Sequence, residues 1–404
     1  MLVGTLTVSQ WCCGDWPHRP IGDTGESMKL GLGLYRHALT PENFRFARQC
    51  GCTHIVAHLV DYFNGGAHSK ADDQPTGGKR GWGYAGDPEK LWSLEELQLL
   101  VQSAAAEGLQ IAAIENFDPA HWYDVLLDGP NRKKQMEGLK TIIRRMGQAG
   151  IPCMGYNFSL AGVAGRISGP FARGHAVAVG VDGGDDAPIP NGMVWNMVYD
   201  PQAPAGTLPE ISSDELWDRA KRFLDELLPV AEEAGVKLAA HPDDPPFATL
   251  RQTPRLVYQP ALYQKLLDLN SSTCNALEFC VGSIAEMTQG DVYEAVDHYS
   301  RQGKLAYVHL RNVRGKVPNY REAFIDDGDV DIVRVLKILK KNGFDGVLIP
   351  DHAPQMSCGA PWHAGMAYAL GFMRAALMAI EDHSETPPPG GDCDLNYLGV
   401  LYVK

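Results

Sequence analysis

The pattern of hydrophobic and polar positions along the chain repeats one unit many times. Short apolar runs, each long enough for one buried strand, alternate with amphipathic stretches. About eight runs of this kind are present: residues 29–34, 54–59, 110–115, 151–158, 236–241, 276–280, 306–310 and 347–351. Because the runs are apolar on both faces, they are typical of a parallel sheet covered by helices.

The amphipathic stretches carry the start and stop signals of helices. A hydroxyl followed three residues later by a carboxylate forms a capping box, and a glycine commonly ends a helix. Starts are indicated at Thr40-Pro41, Ser93 with Glu96 and Ser212 with Glu215, and stops at Gly235 and Gly343.

The number of strand–helix units predicts a single closed (β/α)8 barrel, a TIM barrel of the α/β class. A doubly wound sheet usually has fewer units and a glycine-rich phosphate turn after its first strand. Gly31 and Gly33 lie within the first run and lack the third glycine of that turn.

The barrel is predicted over residues 29–382, and four segments of the chain are additions to its minimal plan. Residues 1–28 are predicted to be an N-terminal extension and residues 383–404 a surface tail rich in proline and glycine. Two long insertions, at about 64–92 and 159–211, follow strands two and four. Because loops after barrel strands lie at the mouth, we expect these insertions to act there as lids or subunit contacts.

Composition narrows the class of protein further. The chain has 404 residues, 45% of them hydrophobic, and a formal net charge of -13, which disfavours nucleic acid as a partner. Nine cysteines spread over this length favour a reducing cytoplasm over a disulfide-stapled secreted domain. The first residues lack the pattern of a signal peptide, and no apolar run is long enough to span a bilayer, so we expect a cytoplasmic protein without a membrane partner.

Candidate chemistry concentrates at the carboxyl ends of the last four strands. His241, Cys280, His309 and Asp351 each end or directly follow one strand. These positions converge at the mouth of a barrel, so the four side chains are candidate metal ligands. Two imidazoles, a thiolate and a carboxylate suit Fe(II), Mn(II), Co(II) or Zn(II) rather than calcium.

Two neighbours of these ligands are candidates for supporting and catalytic roles. Glu278 lies two residues before Cys280 on the same strand, so it points to the same side and can support the ligands. His352 follows Asp351 at the strand-to-loop corner, where it can reach the cavity as a general acid or base.

Further polar residues at strand ends are candidates for binding a substrate. Arg311 is suited to bidentate binding of a carboxylate, with structural ion pairing as the alternative. Tyr156 and Asn157 end the fourth strand, and His58 and Glu115 end the second and third.

At these residues the sequence resembles the mannonate dehydratase family. The resemblance runs from about Met28 to about Met378 and rests on strings that combine to a specific pattern. They are His241-Pro-Asp-Asp-Pro-Pro, Glu278-Phe-Cys280-Val-Gly-Ser, Val308-His309-Leu-Arg311-Asn-Val, Asp327-Gly-Asp329-Val-Asp, Pro350-Asp351-His352 and Tyr156-Asn157-Phe158.

The resemblance implies a barrel like that of xylose isomerase and a hydro-lyase of hexuronate catabolism. The implied reaction converts D-mannonate to 2-keto-3-deoxy-D-gluconate with Mn2+ or Fe2+, held by the four candidate ligands, with His352 as acid or base. A homo-oligomer is also implied. The chain departs from the family pattern at Ile349 and Ala353, and Trp362-His363 stands where the family has Gly-Tyr. His363 or Tyr368 is therefore the candidate second catalytic group.

The sequence is also compatible with three other functions. One is a metal-dependent isomerase, epimerase or lyase for a related sugar or sugar acid. Another is phosphodiester cleavage, which needs a richer metal cluster and a basic surface. The third is a non-catalytic sugar-acid-binding protein that retains the metal for structure.

Overall fold

The computed structural model describes residues 28–65, 74–76 and 81–382 and confirms the predicted (β/α)8 barrel. Eight parallel strands close on themselves, each pairing with the next along the chain and the last with the first. They are β1 (Lys29–Leu34), β2 (His54–Ala57), β3 (Gln110–Glu115), β4 (Cys153–Tyr156), β5 (Lys237–Ala240), β6 (Asn275–Cys280), β7 (Leu305–His309) and β8 (Val347–Ile349).

Helices surround the barrel, and three of them begin at the predicted starts Thr40, Ser93 and Ser212. The Ser93 and Ser212 capping boxes both form, and Gly235 ends its helix in the left-handed conformation. The helices are α1 (Pro41–Gln49), α2 (Leu94–Ala106), α3 (Pro119–Leu127), α4 (Arg132–Ala149), α5 (Ser213–Ala234), α6 (Leu262–Asp268), α7 (Val281–Glu286), α8 (Val292–Arg301), α9 (Ile332–Lys341) and α10 (Pro361–Asp382).

The apolar core has two layers, one inside the barrel and one between the barrel and its helices. The inner layer includes Val347 and Ile349 of β8. A Cβ at Gly31 would lie 2.6 Å from Val347 Cγ1, so this glycine leaves room for the interior of the barrel to be filled. The Gly31 position therefore serves packing and not phosphate binding.

A four-stranded antiparallel sheet covers one side of the barrel mouth, and we call it the mouth sheet. Its strands, in order, are Asn312–Lys316, Asn319–Ala323, Ala176–Asp182 and Arg166–Ala172. The insertion after β4 supplies the last two strands, and a hairpin after β7 that the apolar pattern did not predict supplies the first two. A bridge between Val177 and Gln355 joins this sheet to the loop after β8.

The other segments outside the barrel are shorter. Three two-residue strands, Gly83–Tyr84, Met193–Val194 and Met197–Val198, join the two long insertions. Residues 1–27 and 383–404, which carry nearly all of the predicted extension and the predicted tail, lie outside the described residues.

The last helix, α10, is long and apolar enough to cross a membrane by length and composition alone. In the structure it packs against β1 and α9. Its buried residues include Met366, Leu370, Met373 and Leu377, which recur at helical spacing and form one apolar face. This is the packing of a barrel helix.

Candidate metal centre

The strand ends bring three of the predicted metal ligands together. His241 directly follows β5, Cys280 ends β6 and His309 ends β7, and one ligand atom from each lies within 4.8 Å of the other two. Asp351 lies two residues beyond β8, with its Oδ2 atom 3.4 Å from His309 Nδ1. Asp351 therefore contacts the cluster through His309, while its carboxylate lies outside the set of three close ligand atoms.

Two buried carboxylates extend this cluster on the other side of His309. His309 Nε2 lies 3.2 Å from Glu278 Oε1 and 3.4 Å from Glu115 Oε2. Burial raises the pKa of Glu278 well above its usual range, and the neighbouring Glu115 adds to that rise. Glu278 thus lies beside the ligands, as its position on β6 predicts, and with Glu115 and His309 forms a second metal-competent set.

The Cys280 thiol is held in an environment that favours the thiolate. Cys280 caps the N-terminus of α7, where its Sγ accepts a hydrogen bond from the Ser283 backbone N–H (3.4 Å). Burial alone would raise the pKa of the thiol, but the neighbouring Arg311, His241 and His309 side chains lower it well below its usual range. A thiolate is the form that binds a metal.

The unsatisfied polar atoms of the cluster fit a bound cation. Both ring nitrogens of His309 and both carboxylate oxygens of Glu278 are buried and make no hydrogen bond of acceptable geometry. Such atoms are costly in a protein interior unless an ion or water completes them. The donor set of imidazole nitrogen, thiolate and carboxylate suits a divalent transition metal.

The chain turns sharply after β8, and this corner sends two adjacent residues into the same cavity. Asp351 has a φ of 62°, a left-handed conformation that is costly for a residue other than glycine and recurs at functional sites. His352 Nε2 lies 3.1 Å from Asp351 Oδ2, while its Nδ1 lies 2.9 Å from Glu322 Oε2. Although burial opposes it, these two carboxylates raise the pKa of His352.

A cavity opens above the cluster at the barrel mouth. Of the predicted site residues, the ones that line it are His58, Glu115, Asn157, His241, His309, Asp351 and His352. Residues that the sequence reasoning missed also line it: Tyr35, Tyr62, Gln74, Trp82, Arg166, Trp195 and Asp244.

Arg311 and Tyr156 lie away from the cavity, although we predicted both to bind a substrate. Arg311 is buried behind the cluster, where its three nitrogens contact Asp351, Glu286 and Asp244 at 2.5 to 3.1 Å. The ion-pairing alternative for Arg311 therefore describes its contacts. Tyr156 is also buried and packs its ring on the α5 residue Phe223, 5.2 Å between centroids.

His363 and Tyr368, the candidate second catalytic groups, also lie outside the cavity lining. His363 Nε2 is 2.9 Å from Asn43 Oδ1, and its ring packs against Phe46. The Tyr368 hydroxyl accepts a hydrogen bond from the exposed Arg173 at 3.3 Å. Both residues lie on α10, which packs outside the barrel, so neither is placed to reach the cluster.

The residues that were missed differ in how visible they are in the sequence. Asp244 belongs to the His241-Pro-Asp-Asp string, so its place near the mouth was open to inference. Glu322 lies in the unpredicted hairpin after β7, and Arg166 lies in an insertion without any motif. Only the packing of the mouth sheet brings Glu322 and Arg166 to the site.

The fold and the cluster define a class: a (β/α)8-barrel enzyme with a candidate metal centre at the carboxyl ends of its strands. Comparison with protein families gives the particular member of that class. The model of the D-mannonate dehydratase (UxuA) family matches residues 44–164 and 202–384. The chain therefore belongs to the mannonate dehydratase family.

Individual relatives agree with this assignment. The mannonate dehydratase of Streptococcus pneumoniae (strain 70585) is 32% identical over 279 residues, covering 65% of this chain and 75% of the relative. Mannonate dehydratase 2 of Halalkalibacterium halodurans is 30% identical over 275 residues, covering 65% and 79%.

Among solved structures, the mannonate dehydratase of Streptococcus suis serotype 2 superimposes with a TM-score of 0.70 at 24% identity, covering 94% of this chain and 100% of that one. A xylose isomerase domain protein from Planctomyces limnophilus matches with a TM-score of 0.52 at 14% identity, covering 88% and 99%. Both likenesses concern the fold.

Proposed function

We propose that this protein is a hydro-lyase that converts D-mannonate to 2-keto-3-deoxy-D-gluconate and water. The observation that carries the proposal is the corner after β8. There Asp351 and His352 line one cavity with His241 and His309, and Cys280 lies close to these two histidines, in a chain of the mannonate dehydratase family.

The reaction removes the C2 proton and the C3 hydroxyl of the sugar acid, and the resulting enol tautomerises to the 2-keto product. Removing a proton next to a carboxylate is difficult because a second negative charge develops there. A divalent cation held by His241, Cys280, His309 and Asp351 supplies Lewis-acid stabilisation of that charge, and we propose Mn2+ or Fe2+.

His352 is the group that we propose for proton transfer, either at C2 or to the departing C3 hydroxyl. Its Nε2 lies at the cavity beside Asp351, and its Nδ1 is held by Glu322 at 2.9 Å. The Glu322 carboxylate on Nδ1 fixes the ring orientation, and Nε2, 3.1 Å from Asp351 Oδ2, is the nitrogen that we propose to exchange a proton with the substrate.

The remaining residues bind and enclose the substrate. His58, Glu115 and Asn157 line the cavity and offer polar contacts to the sugar-acid hydroxyls. Tyr35, Tyr62, Trp82 and Trp195 line it as well, and such aromatic groups exclude water from a reaction. Arg311 acts from behind, through its contact with Asp351. A homo-oligomer in the cytoplasm stays a prediction.

The test is incubation of the purified protein with D-mannonate and Mn2+ or anaerobic Fe2+, followed by an assay for 2-keto-3-deoxy acids. We expect product to form, and a parallel incubation with D-gluconate measures selectivity for the C2 configuration. If D-mannonate yields no 2-keto acid at high enzyme concentration with metal bound, the proposal is wrong, and the isomerase, epimerase and lyase alternatives take its place.

A further inference from the structure

We propose that Arg166 is the residue that binds the carboxylate of the sugar acid. The inference rests on the proposed function for the identity of the ligand, but its basis is the charge and geometry of the cavity wall. Arg166 lies between the two ranges that the family model matches, in the insertion after β4.

Binding of an anionic substrate in this cavity requires a positively charged side chain in the cavity wall. Its described lining includes the carboxylates of Glu115, Asp244 and Asp351, which repel an anionic substrate. Among the described lining residues, Arg166 alone is an arginine or lysine. An anion that enters this cavity therefore meets one guanidinium.

Arg166 is built into the wall as a fixed donor. It is 6% exposed, its Nη1 donates to Gln74 Oε1 at 2.5 Å and its Nη2 donates to Asp244 Oδ2 at 2.6 Å. The Nε–H is buried and has no hydrogen-bond partner. Because a buried, unpaired guanidinium donor is costly, a ligand oxygen is the natural partner for this atom.

Arg311, the other guanidinium of the site, does not meet these requirements. Its nitrogens are taken up by Asp351, Glu286 and Asp244, and it does not belong to the described cavity lining. Asp244 accepts from both guanidiniums, so it fixes Arg166 at the front of the site and Arg311 at the back. The two arginines have separate roles, one toward the substrate and one toward Asp351.

The position of Arg166 also explains how the insertion contributes to specificity. Arg166 begins the outer strand of the mouth sheet, and the next strand of that sheet is itself paired with the strand that carries Glu322. The same insertion brings Trp195 to the cavity. The barrel thus provides the metal-competent cluster, while the insertion provides the contact that distinguishes an acid from a neutral sugar.

The test compares binding of a sugar acid with binding of the matching sugar alcohol. D-Mannonate and D-mannitol differ at C1, where a carboxylate is replaced by a hydroxymethyl group. Binding is measured by calorimetry on metal-loaded protein carrying His352→Asn to prevent turnover, with and without Arg166→Met. Arg173→Met is the matched control, because Arg173 is exposed in the turn between two strands of the same sheet and is paired with Asp326.

Loss of one charge-assisted contact lowers D-mannonate affinity by roughly 10- to 150-fold, with D-mannitol affinity changed by less than about threefold. Arg173→Met leaves both affinities unchanged. With His352 intact, Arg166→Met raises KM much more than it lowers kcat, with bound metal retained.

If Arg166→Met weakened the binding of D-mannonate and D-mannitol equally, Arg166 would be a structural ion pair and the inference would be wrong. No change in either affinity would also overturn the inference. If Arg166→Met does not fold, Arg166→Gln carries the same comparison, since glutamine keeps a hydrogen bond to Asp244 without the charge. If the unmodified enzyme forms no 2-keto acid, the proposed function is wrong. The comparison of D-mannonate binding with D-mannitol binding still tests the role of Arg166 in that case.

Discussion

A single turn of the backbone brings His352 to the cavity beside Asp351. On a continuing strand Asp351 and His352 would point to opposite sides, and the left-handed conformation at Asp351 turns both toward the cavity. Glu322, from a different loop, then fixes the imidazole from behind at 2.9 Å.

Substitution of this histidine is expected to separate chemistry from metal binding. His352→Asn removes the proton-transfer group while keeping a similar shape, so kcat for D-mannonate falls by about 100- to 10,000-fold. Bound metal, measured by elemental analysis, stays at the unmodified level. Full activity with intact metal content would remove His352 from the mechanism.

Asp244 is the second residue whose environment leads to a measurable expectation. Burial alone would raise the pKa of its carboxyl, but the Arg166 and Arg311 guanidiniums hold it well below its usual range. Asp244→Asn leaves the buried Arg166 guanidinium without a charged partner, while Arg311 keeps Glu286 and Asp351, so the free energy of unfolding at pH 7 falls by about 3–5 kcal/mol. Urea unfolding measures this, with the exposed Asp345→Asn as control.

The pH dependence of that difference has a definite sign. Because the folded-state pKa of Asp244 is depressed, its contribution is fully present above the unfolded value of about 4 and is lost as pH falls through the folded value. The difference in free energy of unfolding between the unmodified protein and Asp244→Asn is therefore expected to become smaller in acid. A difference in free energy of unfolding that grows below about pH 4 would contradict the lowered pKa of Asp244.

At the scale of elements, the mouth sheet adds site residues that the barrel strands do not supply. It positions Arg166, Tyr320 and Glu322, and Tyr320 donates to Asp244 at 2.9 Å. The apolar pattern predicted all eight barrel strands because buried strands need apolar side chains on both faces. It predicted no strand of the mouth sheet, whose strands mix exposed polar and apolar positions and are fixed by tertiary contacts.

The contact between two mouth-sheet strands can be tested at one glycine. A Cβ at Gly180 would lie 2.8 Å from the Tyr320 backbone oxygen, which cannot move without separating the strands. Gly180→Ala is expected to lower kcat/KM by roughly 10-fold or more and stability by about 1–3 kcal/mol, since overpacking forces a backbone shift.

Gly184→Ala is the matched control, because its nearest neighbour would be 3.8 Å away. We expect it to leave kcat/KM and the urea midpoint close to those of the unmodified protein. Equal effects of the two substitutions would show that the mouth sheet does not support the site.

At the scale of the whole molecule, the barrel and the insertions supply different residues of the site. Strand ends of the barrel supply His241, Cys280 and His309, and such positions can be predicted from sequence because their place at the mouth follows from topology alone. The residues supplied by insertions, such as Arg166, depend on how the loops pack and were beyond the reach of sequence periodicity. Arg311 was predicted near the site, but its ion-pair partners became visible only in the folded structure.

The central claim is that the cluster at the mouth binds a divalent cation and that dehydration requires it. The measurement is a titration of chelator-stripped protein with Mn2+ or anaerobic Fe2+, following bound metal and 2-keto-3-deoxy-D-gluconate formation from D-mannonate together. We expect no product before metal is added and a rate that rises with bound metal up to about one ion per chain, with Cys280→Ser needing more metal for the same rate. An undiminished rate in the stripped protein, or no product with metal bound, would contradict it.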